Sequence, residues 1–289
     1  MTAAEALLPA DKPLLVSSAA ESCEALRARF QTWGYLYFPG QADGDRCDSL
    51  LEEIVARLDP EVVLGADGPQ LAGRPITETD EVWDRCYPEI QALEAFHRFF
   101  HEEDLLELMR VIGGDMPFVY PMKMARVATP RRLGHETPPH QDAHSHNAPE
   151  RMAGIWVALH DAGKGMGRLK ILPKSHLGGV RPVFEAQGVG GVQCEVYPQE
   201  LTWHVSDVRR GDVILFHCCT VHRAEPNTSS DRVRISVDTR FTEFGTPVFS
   251  TNLEPHHGWR IDRLDWDYVY RDWLRDDLKY YWRDYPALF

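Results

Sequence analysis

The sequence predicts a mainly β fold with helices packed outside a sandwich or barrel. Three observations lead there. Helical periodicity is confined to the first part of the chain, about residues 1–115. From Phe118 onward, short apolar or alternating segments follow one another between Gly, Pro and Asp turns. No stretch between the two parts has the composition of a flexible linker, so the 289 residues read as a single domain. Its parts are a mainly helical N-terminal segment (about 1–115), a β core (about 116–245) and an aromatic-rich tail (about 246–289).

Residues 21–33 place Leu26, Phe30 and Trp33 on one helical face, and Gly34 stops that helix. Tyr35–Phe38 reads as a short strand, and the segment from Cys47 to Asp59 as a second helix. The Gly-, Pro- and Asp-rich stretch 60–80 reads as a loop. Two further helices are expected from Pro88 and from His101, the second ended by Gly113-Gly114. Strands are then expected from Phe118, Met152 and Gly167, with a weaker one around Val192–Pro198. The turn Arg210-Gly211-Asp212 leads into a buried strand, Val213–His217. RVRISVDTRF, from Arg232, alternates with Val233, Ile235, Val237 and Thr239 on one side.

Composition narrows the function. The net charge of −13 opposes attraction to nucleic acid. No apolar run reaches the length of a membrane span. The first residues lack a basic start followed by an apolar core, so a cytoplasmic protein is expected. The six cysteines contain no CxxC pair and read as free thiols, with Cys218-Cys219 packing as small hydrophobes.

The chemistry is concentrated in PPHQDAHSHN, residues 138–147. On an extended strand His140 and Asp142 point to one face, so an imidazole and a carboxylate can meet one ion. His222, just beyond the strand ending at His217, supplies a third ligand. Two histidines and one carboxylate leave positions open on iron(II). Zinc accepts the same donors and would imply hydrolysis. His144 and His146 continue the two-residue period, as pocket residues or as loop polar groups. His217 reads as a core histidine or a support for the ligands. Arg234 or Arg232 offers a guanidinium for a carboxylate cosubstrate; alternatively both form surface ion pairs, for example with Asp231 or Asp238.

Across residues 118–241 the chain resembles the phytanoyl-CoA dioxygenase family of iron(II)/2-oxoglutarate oxygenases. PPHQDAH, GIWVALHDAGKGMGRLKILPKSH, RRGDVILFHCCTVHRAEPN and RVRISVDTRF carry the resemblance. It implies a double-stranded β-helix (jelly-roll, cupin-like) core. It also implies iron held by His140, Asp142 and His222, with 2-oxoglutarate and dioxygen as cosubstrates. The usual spacing to the cosubstrate arginine falls on Val233, a departure. Arg234-x-Ser236 fits the wider arginine-x-serine pattern, with Arg232 as competitor and Trp156 on a neighbouring strand. Asp142 implies hydroxylation rather than halogenation, because the halogenating relatives carry a small residue there.

For the substrate, the candidates are Trp83, Tyr87, Arg126, His144, His146, Trp156 and the tail residues Trp266, Tyr270 and Trp273. The tail aromatics alternatively cover the barrel or form a homodimer contact. Asp80, Glu81, Asp84, Asp265 and Asp267 suit a cationic or hydroxyl-rich metabolite, and the layout resembles bacterial natural-product tailoring enzymes of antibiotic biosynthesis. Lys164 and Lys170 make no convincing coenzyme A patch. An aminoglycoside-like substrate leads, with terpenoid or acyl-CoA hydroxylation, a zinc hydrolase and a non-catalytic binding protein as the alternatives.

Overall fold

The structure is a computed structural model describing residues 10–131, 133–147, 151–257, 264–283 and 285. Helix α1 (Cys23–Trp33) is capped by the Ser22 side chain and ends at Gly34. Gly34 adopts φ 78°, and a Cβ there would lie 2.5 Å from both the His176 and the Thr220 side chains. Glycine is therefore required for conformation and for space. β1 (Tyr35–Phe38) follows, and α2 (Gly44–Leu58) starts from an Asp43 cap.

Two local expectations fail here. The stretch expected to be a loop contains a hairpin, β2 (Val62–Gly65) and β3 (Gly68–Leu71). Its turn uses the glycines that made it read as coil. The helix expected from Pro88 is α3 (Glu81–Gln91), which starts earlier and carries Pro88 inside, followed after a break by α4 (Glu94–Phe99). α5 (Glu103–Gly113) completes the helical part.

The core strands are β4 (Pro117–Ala128), β5 (Ala153–Ala158), β6 (Leu169–Ile171), β7 (Val183–Glu185), β8 (Val192–Cys194), β9 (Val213–His217), β10 (His222–Ala224) and β11 (Arg234–Glu243). A one-turn helix, α6 (Asp142–Ser145), lies between β4 and β5, and α7 (Trp266–Val269) lies in the tail. The main sheet has the order β1-β9-β5-β11-β4, and its pairings are antiparallel. A smaller layer is built on the β10–β6 pair. Bridges extend it on one side through His140↔His222 and on the other through Ile171↔His204. The β7–β8 hairpin joins it where the Cys194 N–H donates to the Pro139 carbonyl (2.7 Å). Two antiparallel layers with helices on one outer face make the double-stranded β-helix core.

The main sheet is buried on both faces. Leu36, Phe38, Ile155, Val157, Val213, Leu215, Ile235 and Val237 pack against α1–α5. Tyr35, Tyr37, Trp156, Ala158, Ile214 and Phe216 point between the layers. Burial on both faces is why β5 and β9 read as continuous apolar runs. β11 instead alternates, yet all its residues from Arg234 to Thr242 are buried. Its polar residues face the interior of the molecule, and that interior is the site.

The aromatic tail folds back as a separate cluster. Tyr270, Trp273, Trp282 and Tyr285 pack with Phe118, Tyr120 and Val248. All six cysteines are free thiols, and Cys218 and Cys219 sit in this apolar cluster. No helix among the described residues is long and apolar enough to cross a membrane.

Candidate active site

His140 and His222 face each other across the smaller layer. Each N–H donates to the other's carbonyl at 3.0 Å, and the ring centroids are 4.1 Å apart. Each Nδ1 is placed against a backbone carbonyl, Pro138 for His140 (2.9 Å) and Thr220 for His222 (3.0 Å). With the Nδ1 proton donated there, both Nε2 lone pairs are left for an ion. They lie 4.0 Å and 3.9 Å from Asp142 Oδ1.

Asp142 reaches this point differently from the expected extended strand: it opens α6. Gln141, between the two acidic and imidazole donors, turns the other way and fastens the loop. Its Nε2 donates to the carbonyls of Cys219 (2.6 Å) and Gly179 (2.9 Å), and its Oε1 accepts from the Arg181 N–H (2.8 Å). The Ala143 N–H donates to the Cys218 carbonyl (2.9 Å). These bonds tie the His140–Asp142 segment to the segment that carries His222.

The ligand atoms of His140, Asp142 and His222 all lie within 4.8 Å of one another. Their protonation suits a divalent cation. Burial, aided by His222, pushes His140 down to about 3. Burial also lowers His222. Burial alone would raise Asp142, but the Arg240 guanidinium and the three nearby imidazoles hold it below the usual carboxylate range. Two neutral imidazoles and one carboxylate are the donor set the ion needs.

The interior face of β11 carries Arg234, Ser236, Asp238 and Arg240. Arg240 Nη2 donates to Asp142 Oδ1 (2.8 Å), and its Nη1 donates to Asp238 Oδ2 (2.6 Å). Asp238 also accepts from Arg126 Nε (2.9 Å) and Nη2 (3.3 Å). This makes a buried chain of alternating charges, Asp142–Arg240–Asp238–Arg126. Asp238, the surface ion-pair partner in the alternative reading of the two arginines, is 3% exposed, because alternation turns it between the layers.

The two candidate arginines separate. Arg234 lines a small cavity of about 60 Å³ together with His140, His222, Trp156 and Phe216. Its Nε donates to the Gly167 carbonyl (3.1 Å) and its Nη1 to Ser236 Oγ (2.6 Å). No carboxylate bonds to it among the described residues, and burial, with Arg126 nearby, pushes it down to about 10. Arg232 points the other way, into a surface groove, where it donates to the Asp67 carbonyl. Val233 is fully buried against the helices. Arg234, which opens β11, thus faces the interior, whereas Arg232 precedes the strand and lies at the surface.

A larger cavity of about 250 Å³ opens on the other side of His140 and Asp142. Arg126, His144 and His146 line it. His146 is held by Asn252, whose Oδ1 lies 2.9 Å from its Nδ1. Trp83 lies in the adjoining cleft, stacked on the fully buried Tyr87 at 4.5 Å. Trp266, Tyr270 and Trp273 do not line this cavity; they belong to the tail cluster. Nor do Asp80, Glu81, Asp84, Asp265 or Asp267. Asp80 instead accepts from the Thr77 N–H (2.8 Å), and Asp265 caps α7.

Sequence reasoning missed Arg240, Glu78, Met122, Met124 and His256 as lining residues. Only Arg240 had a signal, since it continues the two-residue period of Arg234, Ser236 and Asp238. His217, Cys218 and Cys219 form a second group of metal-ligand types. There, however, His217 Nδ1 accepts from the Cys219 N–H (3.0 Å).

Residues 19–236 match the family model for phytanoyl-CoA dioxygenase, about three-quarters of the chain. The chain belongs to that family. Phytanoyl-CoA dioxygenase domain-containing protein 1 of Bos taurus is 26% identical over 273 residues, covering 78% of this chain and 93% of that protein. The 1-deoxypentalenic acid 11-beta-hydroxylase of Streptomyces exfoliatus is 25% identical, covering 75% of this chain and 80% of that one. Among solved structures, the epimerase SnoN in complex with Fe3+, alpha ketoglutarate and nogalamycin RO has a TM-score of 0.56 at 21% identity, covering 77% of this chain and 84% of that one. EvdO2 from Micromonospora carbonacea var. aurantiaca has a TM-score of 0.53 at 19% identity, covering 80% and 93%. These two likenesses bear on the fold. Family membership together with the His-Asp-His geometry makes this family member an iron(II)- and 2-oxoglutarate-dependent oxygenase of a small molecule.

Proposed function

We propose that His140, Asp142 and His222 hold the iron(II), and that Arg234 receives the distal carboxylate of 2-oxoglutarate in the small cavity. The observation that carries this is a buried arginine that bonds no carboxylate among the described residues, sharing a cavity with two imidazoles whose Nε2 atoms make no hydrogen bond among those residues. A buried guanidinium with unused donors calls for an anion. Ser236 fixes its orientation, and Trp156 and Phe216 supply apolar walls that exclude water. Iron(II) with 2-oxoglutarate, once bound, supplies the oxidising chemistry that turns a substrate C–H and dioxygen into C–OH, with succinate and carbon dioxide released.

The protein's own contribution is placement. Arg240 keeps Asp142 ionised and oriented, Gln141 holds the two donor segments together, and the larger cavity presents a substrate C–H from the far side of His140 and Asp142. The substrate is a natural-product-like metabolite bearing donor groups, in the manner of antibiotic tailoring reactions, and the protein works in the cytoplasm as one domain. Terpenoid hydroxylation is the second reading, favoured by the Streptomyces exfoliatus relative. The apolar side chains of Met122, Met124, Val183 and Val192 in the cavity would suit it.

The test is anaerobic. Protein given iron(II) and 2-oxoglutarate is expected to develop the weak visible charge-transfer band. His140→Ala and His222→Ala are each expected to lose it. A band that persists in both variants, or activity supported by zinc without 2-oxoglutarate, overturns the reading.

A further inference from the structure

Among the described residues, the larger cavity is lined by one carboxyl group that the iron chemistry does not use. Glu78 lies in the loop between β3 and α3, and its side chain is 15% exposed. It lines both this cavity and the adjoining cleft. The loop is fastened on either side of it. The Ile76 N–H donates to Thr129 Oγ1 (3.1 Å), and that hydroxyl donates to the Ile76 carbonyl (2.9 Å). On the other side Asp80 holds the Thr77 N–H (2.8 Å). Glu78 is thus carried on a loop that is hydrogen-bonded on both sides of it.

Its carboxyl makes no hydrogen bond among the described residues. The nearest cation is Arg126 Nη1 at 4.0 Å, and Arg126 already spends its Nε and Nη2 on Asp238. Burial, opposed by Arg126 and reinforced by Asp238, raises Glu78 above the usual carboxylate range. A buried carboxyl facing a cavity is stabilised by whichever donor enters that cavity. Its neighbours are engaged elsewhere: Asp142 and Asp238 are paired with Arg240 and Arg126, the Nδ1 of His146 meets Asn252 Oδ1 (2.9 Å) and the Nδ1 of His256 meets the Tyr87 hydroxyl (2.5 Å).

We infer that Glu78 selects the substrate, receiving a primary ammonium group and disfavouring carboxylates, so that the C–H to be oxidised is presented toward His140 and Asp142. This rests on the iron and 2-oxoglutarate reading above. The ammonium is the donor that matches best, because it restores the ionised form of Glu78 with a charge-assisted bond. A hydroxyl offers the same contact without the charge, and a carboxylate adds repulsion.

Three probes of one shape separate these cases: cyclohexylmethylamine, cyclohexylmethanol and cyclohexanecarboxylate. Each is titrated anaerobically into protein loaded with iron(II) and 2-oxoglutarate, and the change in the visible band is followed. The amine is expected to bind tightest and the carboxylate weakest. Glu78→Gln is expected to keep the band, which reports an intact and folded centre, while weakening the amine by about tenfold or more. Glu78→Gln should leave the alcohol little changed. Equal or tighter binding of the carboxylate, no binding by the amine, or an unaltered preference in Glu78→Gln each overturns the inference. Failure of the band to form in the unaltered protein is a different result and overturns the reading beneath it.

Discussion

At the scale of single residues, the deciding contrast is between Arg234 and Arg232. Two positions apart on an ideal strand they would share a face, but Arg232 precedes β11 and bonds the Asp67 carbonyl, whereas Arg234 begins the strand and faces inward. Asn227 holds the intervening loop, donating to the carbonyls of Ala128 (2.7 Å) and Arg232 (2.8 Å). Arg234→Ala is expected to raise the 2-oxoglutarate KM by roughly ten- to a hundredfold, the worth of a charge-assisted bond of about 1.5–3 kcal/mol. Arg232→Ala is expected to leave it within about twofold, because its partner is exposed at the surface. Initial rates of succinate formation against 2-oxoglutarate concentration check both, and equal effects would mean that the cosubstrate lies elsewhere.

At the scale of elements, β11 organises the molecule. One face, with Ile235 and Val237, packs on the helices; the other presents Arg234, Ser236, Asp238 and Arg240 to the site. The tail has the opposite character and acts as cover. Trp273 is 7% exposed, its Nε1 donates to the Ala92 carbonyl (3.0 Å), and its ring meets Tyr270 edge-on at 4.5 Å. Trp273→Ala is expected to destabilise the fold by about 3–5 kcal/mol through the cavity it leaves. The band formed with iron(II) and 2-oxoglutarate should survive at low temperature. Thermal or denaturant unfolding measures the first and absorbance the second. A stable variant with altered substrate response would instead place the tail in recognition.

At the scale of the whole molecule, buried histidines make stability depend on pH. His97, His140 and His256 are pushed down to about 3, and His146 and His160 to about 4, in each case chiefly by burial. The unfolded chain protonates these groups near 6.5, so below that pH it binds more protons than the fold does. Their contribution is therefore intact above pH 6.5 and is lost progressively as the pH falls toward 4 and 3. The metal-free protein should show a steadily falling Tm from pH 6.5 to pH 4. His97→Gln, remote from the iron ligands, should flatten part of that slope. A Tm independent of pH over this range would mean that these imidazoles are solvated.

Much of this molecule was readable from its residues. Apolar runs and alternation within windows of about ten residues located β4, β5, β9 and β11, because strand faces are set by neighbours two positions away. His140, Asp142 and His222, together with the blocks around them, marked the family and its cofactors. Errors came where a local signal had two meanings, as with the glycines that make both coil and the β2–β3 turn, and with Pro88, which α3 accommodates. Tertiary structure alone decided what faces what. Glu78 meets Arg126, Arg240 clasps Asp142, and the tail aromatics turn away from the cavity. These groups are distant in sequence, and their pairing follows from the burial of charges between two layers, which no local periodicity records.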